Sequence, residues 1–142
     1  MMEHKLRLAT ASDSNSCAEI VNNWIDRTTW MPRRHSHEAI KRMIKDGMPH
    51  REFWVIGEPV KGYLSFDIKA KQIMGLYVAS PGQGLGKLLL DRVKLGKQYI
   101  KLWSHSKNIS AHDFYLREGF KLTGDKKIGY DEIEEKCFEW RK

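Results

Sequence analysis

Long apolar runs are missing from this chain of 142 residues. None approaches the ~18 residues that mark a membrane-spanning helix, so no such segment is expected. Cysteine is scarce: Cys17 and Cys137 stand far apart and no Cys-x-x-Cys occurs, which excludes zinc fingers and thioredoxin-type sites. Two buried, reduced thiols in a cytoplasmic protein is the reading of that pair. The opening Met1-Met2-Glu3-His4-Lys5 carries charge and no apolar core, so no secretion signal is read there. Internal repeats, low-complexity tracts and Pro/Gly/Ser-rich linkers are absent, which leaves a single domain over residues 1–142.

What is present suits a packed core. Hydrophobic residues make up 41% of the chain, with 5 Trp, 5 Tyr and 5 Phe, a composition that argues against disorder. A domain of this size buries roughly 68–70% of its unfolded surface and needs no metal or disulfide to hold together. The formal charge is +7, with 25 Lys and Arg against 18 Asp and Glu. A basic surface attracts polyanions such as nucleic acid, acidic membranes or a polyphosphate cofactor. The lysines are spread along the chain, and no helix-turn-helix, RNA-recognition or zinc pattern accompanies them, so specific nucleic-acid and membrane partners are not expected.

Periodicity gives the elements. Leu6 and Leu8 alternate with Lys5 and Arg7 as a strand. Asp13 or Ser14 is expected to cap a helix whose apolar stripe is Cys17, Ile20, Val21 and Trp24. After an irregular stretch from Thr28 to Arg34, Ser36 can cap a second helix carrying Ile40, Met43 and Ile44, with Gly47 just past its end. Three short strands follow, over Phe53–Ile56, Gly62–Ile68 and Ile73–Val78, with connections short enough to make them antiparallel neighbours. A glycine-rich loop then leads into a helix with Leu85, Leu88, Leu89 and Val93 on one face. Tyr99–Trp103 reads as a strand, Asn108 or Ser110 caps a helix closed by Gly119, and two strands complete the chain. The order β-α-α-β-β-β-α-β-α-β-β describes an α/β (α+β) domain with helices flanking a mixed central sheet.

The loop Gly82-Gln83-Gly84-Leu85-Gly86-Lys87 carries the first chemical signal. Glycines let the backbone turn sharply and gather N–H groups, and the helix start adds its own unpaired N–H groups and partial positive charge. That combination cradles a pyrophosphate, although glycines also serve plain tight turns. Two nucleotide motifs fail on inspection. Lys87 is followed by Leu88 where a P-loop needs Ser or Thr. The third glycine of a dinucleotide fingerprint is replaced by Leu89, and the preceding strand ends an antiparallel run.

Leu76-Tyr77-Val78, the loop Gly82-Gln83-Gly84-Leu85-Gly86-Lys87-Leu88-Leu89, and Asn108-x-x-Ala111-x-x-Phe114-Tyr115-x-x-x-Gly119-Phe120 together resemble the GNAT superfamily of acyl-CoA N-acyltransferases. The resemblance covers about Gly62 to Phe120. Trp30-Met31-Pro32 and Glu134-Glu135 with Trp140 are further similar to a bacterial branch of the superfamily. The loop departs from the usual Arg/Gln-x-x-Gly-x-Gly/Ala in having Pro81 first and Gln83 inside, which leaves the backbone cradle intact.

The resemblance implies an N-acetyltransferase passing the acetyl group of acetyl-CoA directly to an amine in a ternary complex, with no metal. Leu76, Tyr77, Val78, Gly82, Gln83, Gly84, Leu85, Gly86, Lys87, Asn108, Ala111 and Phe114 would bind the coenzyme, and Tyr115 would be the general acid to its thiolate. It also implies a bulged central strand that parts from its neighbour to admit the pantetheine, a small-molecule or peptide amine as partner, and a homodimer as a common state. The residues allow other roles: core packing for Tyr115, helix capping for Asn108, a solvated position for Lys87. A non-catalytic acyl-CoA sensor and a basic nucleic-acid-associated protein are the alternative functions.

Deprotonation of the amine is open. The strand Ile73–Val78 holds no Asp or Glu, and Gln72 at its start cannot take a proton. Candidates are Asp67, His105, Glu134 or a water chain. His35-Ser36-His37 has no third ligand at metal-binding spacing. Trp24, Trp30 and Met31 either line the acceptor pocket or pack the core.

Overall fold

The computed structural model describes residues 5–142, so the charged opening of the chain lies outside it except for Lys5. The elements are β1 (Leu6–Leu8), α1 (Ser14–Arg27), α2 (His37–Gly47), β2 (Glu52–Ile56), β3 (Gly62–Asp67), β4 (Gln72–Val78), α3 (Leu85–Lys94), β5 (Tyr99–His105), α4 (Ile109–Arg117), β6 (Lys121–Ile128) and β7 (Glu134–Arg141). The expected order of strands and helices is the observed one. The strands form one seven-stranded sheet in the order β1-β2-β3-β4-β5-β7-β6. Only β4 and β5 run parallel, because the helix between them carries the chain back across the sheet. Among the described residues no helix is long and apolar enough to cross a membrane.

Strand alternation divides the core into two layers. On β2, Trp54 and Ile56 face one side while Phe53 and Val55 face the other. Trp54, Ile56, Leu64, Phe66, Ile100, Leu102 and Phe138 pack under α3 and α4, meeting Leu85, Leu89, Leu90, Val93 and Tyr115. Phe53, Val55 and Tyr63 pack under α1 and α2, meeting Cys17 and Val21, with Ile40 and Ile44 at the margin. Each such side chain contributes about 1.5–3 kcal/mol by leaving water, so both helix layers are fixed to the sheet between them.

The helix ends differ from expectation in two places. Asp13 precedes α1 but its side chain makes no cap; the carboxylate is taken by a bidentate pair with Arg7, at 2.7 and 2.9 Å, and by the Thr10 N–H at 2.8 Å. Charge-assisted bonds to a guanidinium outcompete a neutral cap. Gly47 is the last residue of α2 and has φ −77°, so it is no left-handed terminator; a 3-10 turn through Pro49 continues from it. Ser36 does cap α2, its Oγ accepting from the Ala39 N–H at 3.1 Å.

Candidate active site

The glycine loop lies between β4 and α3. Gly82 and Gly84 have φ +85° and +74°, conformations that a side chain resists, and a Cβ on either would meet nothing within 4 Å. These glycines are therefore required by the turn of the backbone and face open space. Gly84 stands at the N-cap position of α3, and its carbonyl receives the Leu88 N–H at 3.2 Å. The N–H groups before Leu88 lie in the first turn, where an α-helix offers no carbonyl partner. Leu85 turns its side chain into the core and anchors the loop's far end. Gly86 brings α3 close to α4: a Cβ there would stand 3.3 Å from the Phe114 ring.

Beside the loop the sheet opens. β4 carries a bulge: Ser65 pairs with Gly75 and Phe66 with Ile73, leaving Met74 unpaired. On its other side β4 pairs with β5 only through Gln72–Lys101 and Ile73–Leu102. From Met74 to Val78 the β5-facing edge of β4 has no strand beside it. A slot bounded by a free strand edge accepts an extended chain carrying amides, which hydrogen-bonds there as a further strand would.

The slot and loop belong to a cleft of about 1080 Å³, large against the ~300–1,000 Å³ of ordinary ligand pockets. Leu76, Tyr77, Val78, Gly82, Gln83, Gly84, Leu85, Gly86, Lys87, Asn108, Ala111, Phe114 and Tyr115 all line it. The structure thus brings every expected site residue to one cavity. Asn108 precedes α4 without capping it through its side chain; its Oδ1 receives the Ser110 hydroxyl at 3.4 Å, and its amide N–H groups have no partner among the described residues. The Lys87 ammonium is engaged by Glu118 at 3.1 Å and Asp91 at 3.2 Å, which raise its pKa. Tyr115 has a ring packed against Phe114, Phe120 and Phe138, and burial pushes its phenol well above the ordinary value. Core packing and a place in the cleft are both true of this residue.

The far end of the cleft is aromatic and acidic. Trp24 and Met31 line it. Trp30 lies behind, its ring 5.4 Å from His105 and 5.7 Å from Trp24. His105, last on β5, bonds through Nε2 to Asp131 Oδ2 at 2.8 Å, and Glu135 is its partner across the β5–β7 ladder. Burial raises the Glu135 pKa, with the His105 charge opposing. Of the proton-acceptor candidates, only His105 lines the cleft. Asp67 instead receives the Ala70 N–H at 3.1 Å in the β3–β4 turn, and Glu134 receives the Ser106 hydroxyl at 2.7 Å.

His105, Asp131 and Glu135 each bring one donor atom within 4.8 Å of the others, a grouping of types that also bind cations. The 2.8 Å His–Asp contact is shorter than the roughly 3.3 Å between two ligands of a tetrahedral zinc. It has the length of a hydrogen bond. His35 and His37 go separate ways, His35 to the Tyr130 ring and His37 to Asp26. Asp131 sits in no motif, and Glu135, although part of the Glu134-Glu135 stretch noted in the sequence, carries no signal there that links it to His105. Only the β5–β7 register, once known, puts Glu135 opposite His105.

Residues 49–122 match the model of the acetyltransferase (GNAT) domain family. Among solved structures, a GNAT-family acetyltransferase from Bacillus cereus is 18% identical, with 99% of each chain covered and a TM-score of 0.77. YncA from Salmonella typhimurium, solved with its cofactor acetyl-CoA, is 22% identical over 97% of this chain and 93% of its own, with a TM-score of 0.70. NAA60 from Arabidopsis thaliana, in complex with a bisubstrate analogue, is 16% identical over 98% of both chains, with a TM-score of 0.73. No curated protein sequence matches the chain.

Proposed function

Because the chain belongs to the GNAT acetyltransferase family, we propose that it transfers an acetyl group from acetyl-CoA directly to an amine within a ternary complex. One observation carries this reading: the bulged, splayed edge of β4 and the left-handed glycine turn open into a single cleft with Tyr115. A cofactor with an anionic end, an amide-bearing arm and a reactive sulfur needs those features in one cavity. Acetyl-CoA supplies the acyl group already activated as a thioester.

The chain's own residues supply the rest. Backbone N–H groups of the Gly82–Lys87 turn and the α3 start would bind the pyrophosphate, helped by the helix dipole. Arg117, which lines the cleft with its guanidinium 5.8 Å from the Phe114 ring, adds positive charge at that end. Lys87 acts at a distance, since Glu118 and Asp91 hold it. The free edge of β4 offers N–H donors to the arm and to the acyl oxygen, where negative charge develops during attack. Asn108 gives the arm an amide partner.

Tyr115 would donate its proton to the departing sulfur. A phenol raised by burial stays protonated at neutral pH. The same apolar surroundings raise a thiolate's proton affinity, so donor and acceptor are shifted in the same direction. Lost general-acid catalysis costs about 10²–10⁴ in rate. Tyr115→Phe should therefore lower kcat by that order while acetyl-CoA binding, read by calorimetry, stays within about threefold. Acetyl-CoA that binds wild type without any release of free thiol across an amine panel would make the protein a sensor and end the enzymatic reading.

A further inference from the structure

Of the titratable side chains at the aromatic end of the cleft, His105, Asp131 and Glu135, the first has surroundings built around it. His105 ends β5, and its ring is stacked on Trp24 at 6.3 Å and met edge-on by Trp30 at 5.4 Å. The two indoles restrict rotation of the imidazole. Its backbone carbonyl receives the ring N–H of His112 at 2.9 Å, which ties the strand end to α4. Its Nε2 lies 2.8 Å from Asp131 Oδ2.

Asp131 is 3% exposed, yet it is fully engaged. Oδ1 receives the Ile133 N–H at 3.1 Å, and its backbone carbonyl receives Arg34 at 3.2 Å. An ionised carboxylate only accepts hydrogen bonds, so the imidazole nitrogen facing it must carry the hydrogen. In neutral His105 the lone pair is then on Nδ1, for which no hydrogen-bond partner exists among the described residues. The ring keeps 17% of its side-chain surface exposed, enough for a proton to pass on to water.

We infer that His105 accepts the proton of the incoming ammonium through Nδ1, directly or through one water, and that Asp131 is the positioning residue that fixes the tautomer and stabilises the resulting imidazolium. This inference rests on the acetyl-transfer reading. The ammonium loses one proton to His105, and the amine's electron pair forms the nitrogen–carbon bond. The carbon–sulfur bond breaks with its electrons going to sulfur. The second nitrogen proton, released as the amide forms, balances the one that sulfur receives, and His105 returns its own to solvent. β4 has no carboxylate for this task, and Asp67 and Glu134 are occupied outside the cleft; Glu135 does line it, as the cross-strand neighbour of His105.

Titratable groups face His105 from several elements. Asp131 in the β6–β7 loop and Glu135 on β7 lie beside its ring. His112 on α4 reaches its carbonyl; the Tyr77 phenol, raised by burial, stays neutral, and so does the largely exposed Tyr130 phenol. Arg34 touches Asp131 only through the backbone carbonyl, and Lys127 on β6 offsets Glu135.

Three measurements on the full chain test the inference. Long-range nitrogen–proton NMR of wild type should find His105 in the Nε2–H form; the Nδ1–H form overturns the proposal without any assay of activity. With spermidine, an Nα-blocked lysine and an alanine-initiated peptide as amines, His105→Gln should cut kcat by about 10²-fold or more and remove the acidic limb of the kcat/KM profile. Acetyl-CoA affinity should be unchanged. Asp131→Asn should move the acidic limb to lower pH, because a neutral amide no longer favours the imidazolium, while circular dichroism stays native. A purely structural role for Asp131 would lower the melting temperature and leave that limb in place. Wild-type turnover that His105→Gln fully retains overturns this inference alone. Acetyl-CoA binding with no thiol release from any amine overturns the acetyl-transfer reading along with it.

Discussion

Gly84→Ala isolates what the loop does from what it costs to build. At φ +74° an alanine is strained by about 1–2 kcal/mol, and no neighbour within 4 Å adds a clash. The chain can keep the turn and lose stability, or relax it and move the N–H groups that follow. Gly96 supplies the control. It has φ +78°, an equally open surrounding, and no place in the cleft. Gly96→Ala therefore carries the same intrinsic strain in a turn outside the cleft. Both variants should lose roughly 3–8 °C of melting temperature if they hold their conformations. They should part in coenzyme A affinity either way: a relaxed turn moves the N–H groups that follow Gly84, and a retained turn puts a Cβ into the open space of the cleft beside them. A hydrogen bond to a charged group is worth about 1.5–3 kcal/mol, and about 1.4 kcal/mol is a factor of ten in Kd. Loss of one phosphate contact thus weakens binding about 10- to 100-fold in Gly84→Ala, with Gly96→Ala unchanged. Differential scanning fluorimetry with isothermal titration calorimetry reads both quantities. Equal affinities for the two variants would refute the assignment of this turn to phosphate.

Two predictions concern parts of the fold away from the chemistry. The Arg7 guanidinium and the Thr10 N–H hold the Asp13 carboxyl at about 2, below its ordinary 3.8. The folded state has the lower pKa, so this contribution, about 2 kcal/mol, is whole above pH ~4 and fades as pH falls towards 2. Asp13→Asn should cost that amount at neutral pH in chemical denaturation, with the gap to wild type closing between pH 4 and 2; a gap independent of pH would show that the ion pair is not its source. Burial pushes the Cys17 thiol up to about 12, which leaves almost no thiolate at pH 8. It should resist a disulfide reagent until the protein unfolds, and rapid labelling of native protein would contradict its place in the α1 layer.

The folding plan was written in short-range patterns. A short apolar run on β2 and alternation on β3 mark strands whose side chains go to two faces, and a 3.6-residue stripe on α1 faces one of them. These signals lie within a few residues of each other and so survive without tertiary knowledge. Helix ends were less legible because caps compete with partners further off. Asp13 reads as an N-cap until Arg7, on the neighbouring strand, offers a stronger bond. Lys87 reads as a phosphate ligand until Glu118, thirty-one positions away, takes it up. Its charge beside the loop is therefore partly cancelled, and under the proposed function the affinity for a phosphate would rest on backbone N–H groups rather than on the lysine.

The site divides along the same line. The half proposed for the cofactor lies in two contiguous stretches, since one loop and one helix would suffice to bind a phosphate and present a phenol. The half proposed for the amine is assembled from α1, β5, the β6–β7 loop and β7, with His105 and Asp131 twenty-six positions apart. No spacing rule links them. The β5–β7 ladder sets Glu135 opposite His105, and the β6–β7 turn folds Asp131 back onto the same ring. A segment that only positions a carboxylate is free to change in sequence so long as the sheet register holds. That freedom explains why the glycine turn stands out in the sequence while the pairing of His105 with Asp131 does not. It also sets what a change of register would do: a one-residue slip of β7 would turn Glu135 to the opposite face and move its neighbouring loop, removing both carboxylates from His105 at once.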